Sequence, residues 1–381
     1  MELHDLPQIR REIDEANSSL IELFERRLDL VRQVAEYKEA YSLPVFDGAR
    51  EKEVLQKCVK LVQFPEHRDI CLWLMEKVME ASRRYESGNM QTEYAPVRKT
   101  PAVKGVYKSA GYQGVPGSYS HQALRNYFKD SSVEEYNFKL FKDVITAVSR
   151  KEIDCGVLPI ENSSTGGILE VYDLLRNSDC RIVGEKIVKV DHNLMVSPGV
   201  KLEDITKVYS HPQGFSQCAD FFADHREWEL IPYFNTARSA EMVSRVKDPH
   251  SAAVASREAA ELYGLDILAA NINSNARNYT RFVVVAASDI EDDEADKITI
   301  VIGLRHKAGA LSRALAYFSN NGLNLTNLES RPRDDGSWEY FFHLDFMGRL
   351  EEENVERAME GLKEETSYLK VLGNYRSDRR S

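Results

Sequence analysis

Asn278-Tyr279-Thr280-Arg281-Phe282 runs directly into Val283-Val284-Val285-Ala286-Ala287. An apolar, β-branched run of that length reads as a buried central strand, so the polar residues before it stand where a sheet opens into a crevice. Thr280 is then a hydroxyl held at a cleft, or else a threonine that simply suits a pleated surface. Working outward, strand-like and helix-like runs alternate: Ala110-Gln113 then a helix from Ser118, Tyr136-Phe141 then a helix from Asp143, Cys155-Ile160 then a helix through Tyr172. The pattern resumes at Lys207-Tyr209 and Leu230-Phe234. Such alternation predicts an α/β domain of mostly parallel strands, with any ligand bound beyond the carboxyl ends of the strands.

The segments after those strands are polar and glycine-bearing. They are Gly114-Val115-Pro116-Gly117-Ser118-Tyr119-Ser120-His121, Pro159-Ile160-Glu161-Asn162-Ser163-Ser164-Thr165-Gly166-Gly167, Ser210-His211-Pro212-Gln213-Gly214-Phe215-Ser216-Gln217 and Asn235-Thr236-Ala237-Arg238-Ser239-Ala240. Each alone can be a helix cap. Four of them beside Thr280 suggest a ring of backbone N–H groups and hydroxyls around a small anion.

The chain has 381 residues, 43% hydrophobic and 29% charged, with a formal net charge of −11. That length allows two or three domains, and the acidic balance argues against nucleic acid as the main partner. No apolar run is long enough to span a bilayer and the N-terminus lacks a signal-like core, so a cytoplasmic protein with no membrane partner is expected. Cys58, Cys71, Cys155, Cys180 and Cys218 are scattered and form no CxxC pair, suggesting neither disulfides nor a zinc site.

From Ile9 to Tyr41 there is no Gly or Pro, and apolar residues fall at helical spacing, which predicts one long amphipathic helix that must pack on others. Helices over about Ala49 to Gln63, with Asp47 as a cap, and Pro65 to Glu86 follow. Arg27 and Lys38 both sit in the apolar stripe, and eleven residues at about 100° each bring them within roughly 20° of one another. Cations turned into a bundle require internal carboxylates or a bound anion, unless they snorkel to the surface. Arg10 is turned about 100° away and can serve a site on a second chain. Residues 87 to 102 read as a linker, as does the acidic run Asp289 to Asp296. Beyond it the order strand, helix, strand, strand, helix, short strand predicts a ferredoxin-like α+β domain, and the tail Arg376 to Ser381 reads as disordered.

These strings carry a resemblance. NYTRF and the four polar turns, in order, resemble prephenate dehydratases; the helical segment resembles chorismate mutases; and Gly309-Ala310-Leu311-Ser312 with Glu329-Ser330-Arg331-Pro332 resembles the phenylalanine-sensing motifs of an ACT regulatory domain. Together they resemble the bifunctional chorismate mutase/prephenate dehydratase family. The resemblance implies a multidomain chain: an all-α mutase domain over 1–88, a two-lobed α/β dehydratase domain over 103–288 similar to solute-binding proteins, and an ACT domain over 297–376. It implies chorismate and prephenate as substrates, L-phenylalanine as inhibiting effector, no cofactor or metal, and a homodimer or higher homo-oligomer.

For the mutase it implies Arg10, Arg27, Lys38 and Glu86 as catalytic, with Asp47, Arg50, Glu51 and Ser82 binding substrate. For the dehydratase it implies Thr280 as catalytic, with Glu161, Asn162, Ser163, Ser210, Gln217 and Arg281 lining the site. For the effector it implies Gly309, Ala310, Leu311, Ser312, Glu329 and Ser330. Many family members carry Gln where this chain has Glu86, and an ionised carboxylate there would repel charge developing on the ether oxygen. Two alternatives stay open: a dehydratase whose mutase domain serves only dimerisation, and a non-catalytic amino-acid sensor.

Overall fold

The computed structural model describes residues 5–41, 48–89, 107–288, 292–304, 307–333 and 340–378. The chain divides into two compact units, one ending at Arg98 and one beginning at Lys99.

The first unit is helical: Leu6–Ala40, Gly48–Leu61 and Arg68–Asn89, the last entered through a short 3-10 turn at Pro65–His67. Pro65 suits that entry because a first-turn residue needs no N–H donor. Among its described residues only Ala35, Met79 and Ser82 are buried, whereas Leu20, Leu23, Leu30 and Val34 of the long helix are each 46% to 63% exposed. An apolar stripe of that length left in water is the mark of an interaction face.

The second unit holds three sheets. In the first lobe the strand order is Glu134–Phe138, Ser109–Gln113, Cys155–Asn162, Tyr279–Ala286, Arg181–Lys189, with Gly166–Gly167 hairpinned onto Cys155–Asn162. In the second lobe it is Asp266–Ala269, Asn193–Val196, Ser251–Ala255, Lys207–Ser210, Glu229–Pro232. The expectation of mostly parallel strands needs correction, because both sheets are mixed. Tyr279–Ala286 runs antiparallel to both neighbours. The reason is topological: the chain leaves the first lobe after Lys189, builds the second, and re-enters from the opposite direction. Its first residues therefore lie at the carboxyl end of Cys155–Asn162, with Thr280 paired to Asn162.

Alternation along Tyr279–Ala286 then divides its side chains. Phe282 and Val284 pack under the helix Tyr119–Tyr127 with Tyr112, Leu124 and Val157. Val283 and Val285 face the other way, into a core with Leu158, Ile160, Val171 and Leu175 that Val301, Leu372 and Tyr375 of the third sheet also join. That third sheet is antiparallel, in the order Leu325–Pro332, Tyr340–Met347, Lys297–Leu304, Thr366–Tyr375, with helices Ala310–Asn320 and Glu353–Glu365 on its other face. This is the ferredoxin-like arrangement. Its last strand is 10 residues long, not short.

Within the described residues, the tail as far as Asp378 and the acidic run from Asp292 also need correction; 379–381 and 289–291 lie outside them. Asp378 accepts hydrogen bonds from Lys186 Nζ at 2.9 Å and the Ile187 N–H at 2.7 Å, while Asp296 accepts from the Ser377 N–H at 2.7 Å. Carboxylates that find N–H donors on the body of the domain bind the chain there.

Candidate functional site

The cleft is built on the Thr280–Asn162 pair, beside a β-bulge opposite the Arg281–Phe282 step. The Asn162 carbonyl accepts from the Ser164 N–H at 3.0 Å, the Thr165 N–H at 3.1 Å and Thr165 Oγ1 at 3.2 Å. Backbone amides can only donate, so they fix which end of the carboxamide is oxygen. Asn162 Nδ2 must then point the other way, and its two hydrogens are shared among Asn278 Oδ1 at 2.8 Å, Thr280 Oγ1 at 2.9 Å and, at longer range, the Tyr279 carbonyl at 3.2 Å. With an oxygen lone pair occupied, Thr280 keeps its proton, and among the described residues it donates to nothing. Ser163 fastens the returning chain, donating to the Arg277 carbonyl at 3.0 Å and accepting from the Tyr279 N–H at 2.9 Å.

The second lobe closes on this loop. Gln213 Nε2 donates to Thr165 Oγ1 at 3.1 Å. Further along the seam Ser256 donates to the Gly117 carbonyl at 3.0 Å, Tyr263 to the Pro116 carbonyl at 2.8 Å, and Gln122 to Glu258. Gly117 has φ +83°, and a Cβ there would stand 3.1 Å from Ala259 Cα, so glycine is what lets the lobes touch. The first polar turn thus holds the lobes together as well as opening a helix.

Gln217 faces His192 at the crossing between lobes, Nε2 to Oε1 2.8 Å. Burial holds His192 below its ordinary value, the Gln217 bond partly opposing. Ser210 is fully buried and donates to the Val254 carbonyl at 3.0 Å. His121 accepts from the Gly117 N–H at 3.0 Å and bonds Glu135 at 2.7 Å, a structural arrangement. His211 caps its helix.

Arg281 turns away from Thr280, toward carboxylates on the other side of the strand. Consecutive strand residues point to opposite faces. Arg281 lies against Glu161 at 3.2 Å, Glu185 at 3.3 Å and Asp345 of the third sheet at 2.7 Å, with Lys297 closing the cluster on Glu185 at 2.9 Å. Although burial opposes its charge, Asp345 and its other anionic neighbours hold Arg281 firmly protonated. Glu161 stands on the same side, half exposed.

The effector motifs divide in the same manner. Gly309, at φ +75°, opens the helix Ala310–Asn320; Ala310 is buried, Leu311 half-buried and Ser312 exposed. Ser330 is exposed, while Glu329 and Arg331 turn inward. A Cβ on Gly167 would meet Glu329 Oε2 at 2.9 Å, and Arg331 pairs with Asp173 on the helix Leu169–Asn177. Gly166 and Gly167 pair in turn with Asn162 and Glu161.

In the helical unit Arg27 and Lys38 are half-buried and Arg10 exposed, and the Arg27 Nε is buried without a hydrogen bond among the described residues. Arg50 pairs with Glu53 at 2.6 Å, Glu51 is half-buried, and Ser82 donates to the Val78 carbonyl at 2.7 Å. Asp47 and the Glu86 side chain lie outside the described residues. Asn278, Thr165, Gln213 and His192 were not singled out from sequence. Of these, Asn278 was legible, since it stands two residues before Thr280 at the mouth of the same buried run.

Family profiles match in three places: prephenate dehydratase over residues 110–290, chorismate mutase type II over 9–87 and ACT domain over 298–364. A bifunctional chorismate mutase/prephenate dehydratase of Aquifex aeolicus is 32% identical over 380 residues, covering 98% of each chain. Among solved structures, a prephenate dehydratase from Arthrobacter aurescens in complex with L-Phe matches with TM-score 0.64 and 29% identity over 70% of this chain and 90% of that one. A protein described as a novel type of quorum quenching acylase matches with TM-score 0.65 and 29% identity over 71% of this chain and 98% of that one. With a relative above 30% identity spanning nearly its whole length, the chain belongs to the bifunctional chorismate mutase/prephenate dehydratase family.

Proposed function

We propose that the helical unit rearranges chorismate to prephenate, that the cleft converts prephenate to phenylpyruvate, and that L-phenylalanine inhibits through the C-terminal domain. The observation that carries the dehydratase reading is the Thr280 hydroxyl, held by Asn162 Nδ2 at 2.9 Å with its proton uncommitted. In the reaction the bond from the ring to its carboxylate breaks and carbon dioxide leaves. The electron pair enters the ring, the carbon–oxygen bond of the ring hydroxyl breaks, and the oxygen departs to end as water. Aromatisation drives this, so the protein chiefly stabilises charge growing on the departing oxygen. A threonine is a poor proton source but a good hydrogen-bond donor, which is the role assigned to Thr280. Asn162 orients it, Ser163 fixes the strand that carries it, and Gln213 and Gln217 bring the second lobe over the substrate.

The mutase step is pericyclic and needs no nucleophile, only a clamp for the reactive chair and positive charge near the ether oxygen. Arg27 and Lys38 supply these on one helix, and Arg10 reaches the site of a second copy. The exposed stripe of Leu20, Leu23, Leu30 and Val34 supports a homodimer through this helix. Phenylalanine is placed at Gly309, Ala310, Leu311 and Ser312 with Ser330. Glu329 against Gly167 and Arg331 on Asp173 give the effector strand direct leverage on the hairpin that pairs with Asn162.

The test is to incubate purified protein with chorismate and follow prephenate and phenylpyruvate separately, with and without L-phenylalanine. Prephenate should rise first, then phenylpyruvate, and the second phase should slow with the amino acid. Absence of either product would refute the corresponding assignment.

A further inference from the structure

The Asn278 side chain carries an obligation that the fold leaves unmet. Asn278 is 2% exposed, and its carbonyl accepts the Asn162 Nδ2 donor at 2.8 Å. Asn162 cannot be turned round, because the Ser164 and Thr165 N–H groups hold its oxygen. Asn278 therefore has to offer oxygen to Asn162, which directs its own Nδ2 elsewhere. That nitrogen is buried and bonded to nothing among the described residues. A buried donor without an acceptor is unfavourable and uncommon in folded proteins. The backbone of Asn278 is also fixed at the crossing between lobes, its carbonyl accepting from the Val190 N–H at 2.8 Å. The free N–H is thus held in place two residues before the free O–H of Thr280, with both side chains against the one Asn162 carboxamide.

We infer that Asn278 Nδ2 is a second catalytic donor, hydrogen-bonding the ring hydroxyl oxygen of the substrate as it departs, beside Thr280. It transfers no proton; it stabilises negative charge as the carbon–oxygen bond breaks, and the bound substrate satisfies the donor. This rests on the reading of the cleft as the dehydratase site. Asn162 keeps two acceptors, Thr280 Oγ1 and the Tyr279 carbonyl, when Asn278 is shortened. Truncation therefore removes the donor without unmaking the hold on Thr280.

The experiment measures prephenate turnover, chorismate mutase turnover and thermal unfolding for the full chain and for Asn278→Ala, Asn278→Asp and Thr280→Ala. Asn278→Asp keeps an acceptor for Asn162 but has no N–H. The expected result is a fall in dehydratase kcat of about ten- to a hundredfold in both Asn278 variants, with KM within about threefold. Mutase turnover should not change, and both variants should stay folded at the assay temperature, with the two falling alike in kcat even where the buried carboxylate of Asn278→Asp lowers the unfolding temperature further than Asn278→Ala does. Dehydratase kcat within twofold of the parent in either variant would overturn the inference, as would a loss that merely tracks mutase turnover and unfolding. If Thr280→Ala is inactive and Asn278→Ala is not, only the role of Asn278 fails. If Thr280→Ala itself turns over normally, the reading of the cleft fails with it.

Discussion

Arg281 is the residue whose placement separates a substrate clamp from a structural pin, and replacing Asp345 with asparagine tests which it is. The cluster sets two cations, Arg281 and Lys297, against Glu185 and Asp345. The side chains of Glu185 and Asp345 are each 1% exposed, Arg281 is 9% and Lys297 10%. Charges that deep interact strongly but have lost their hydration, so the pair is sensitive to removal of either member alone. Asp345→Asn preserves shape but takes from Arg281 its nearest buried carboxylate, leaving it Glu185, which Lys297 shares, and the more exposed Glu161; breaking a buried pair in this way costs up to roughly 3–5 kcal/mol. Against a typical domain stability of about 5–15 kcal/mol that is a large fraction, readily seen in urea unfolding followed by circular dichroism. Arg281→Met should be comparably destabilising, whereas Arg281→Met with Asp345→Leu should recover at least half of the loss, because the two changes remove opposite charges together. Less than about 1 kcal/mol for Asp345→Asn, together with a raised KM for prephenate in Arg281→Met at unchanged stability, would refute the pin and return Arg281 to the substrate.

Gly117→Ala places a Cβ at φ +83° and 3.1 Å from Ala259 Cα, so the lobes should part; dehydratase kcat/KM is expected to fall about tenfold or more while mutase turnover in the same chain is unchanged. Burial, reinforced by the Arg176 guanidinium, pushes His343 down from 6.5 to about 4. Unfolded chains take up that proton first, so the stability from neutral His343 is present above about pH 6.5 and is lost as pH falls toward 4, by at most about 1.4 kcal/mol per pH unit. His343→Phe should flatten urea midpoints over that window, leaving a smaller slope from His192 and His211, which burial also holds low. An unaltered slope would remove His343 from that role. Mutase activity should fall as pH rises through the titration of Glu86, and Glu86→Gln should level the profile; the same profile in both proteins would show that Glu86 does not face the ether oxygen.

The architecture was legible wherever periodicity carried it. The uninterrupted helix Leu6–Ala40, the ferredoxin-like order and the buried run after Thr280 each follow from local pattern. Strand direction did not, because a β-branched run has the same period either way; only the excursion through the second lobe makes Tyr279–Ala286 antiparallel. Arg281 and Ser330 show a different limit. Period 2 forbids Thr280 and Arg281, or Glu329 and Ser330, from sharing a face, yet motif resemblance treats each pair as one site. The docked tail escaped notice because Asp378 is held by Lys186 and the Ile187 N–H, far away in sequence. Asn162 and Thr280 could be named as site residues, but which atom of each is committed depends on the turn that holds the Asn162 carbonyl.

The most direct test is to give chorismate to Thr280→Val, which keeps the side-chain shape and removes only the hydroxyl. Prephenate should form at the parent rate and accumulate, with phenylpyruvate formation reduced about a hundredfold or more. Phenylpyruvate appearing within about threefold of the parent rate would contradict a mechanism in which the Thr280 proton meets the departing oxygen.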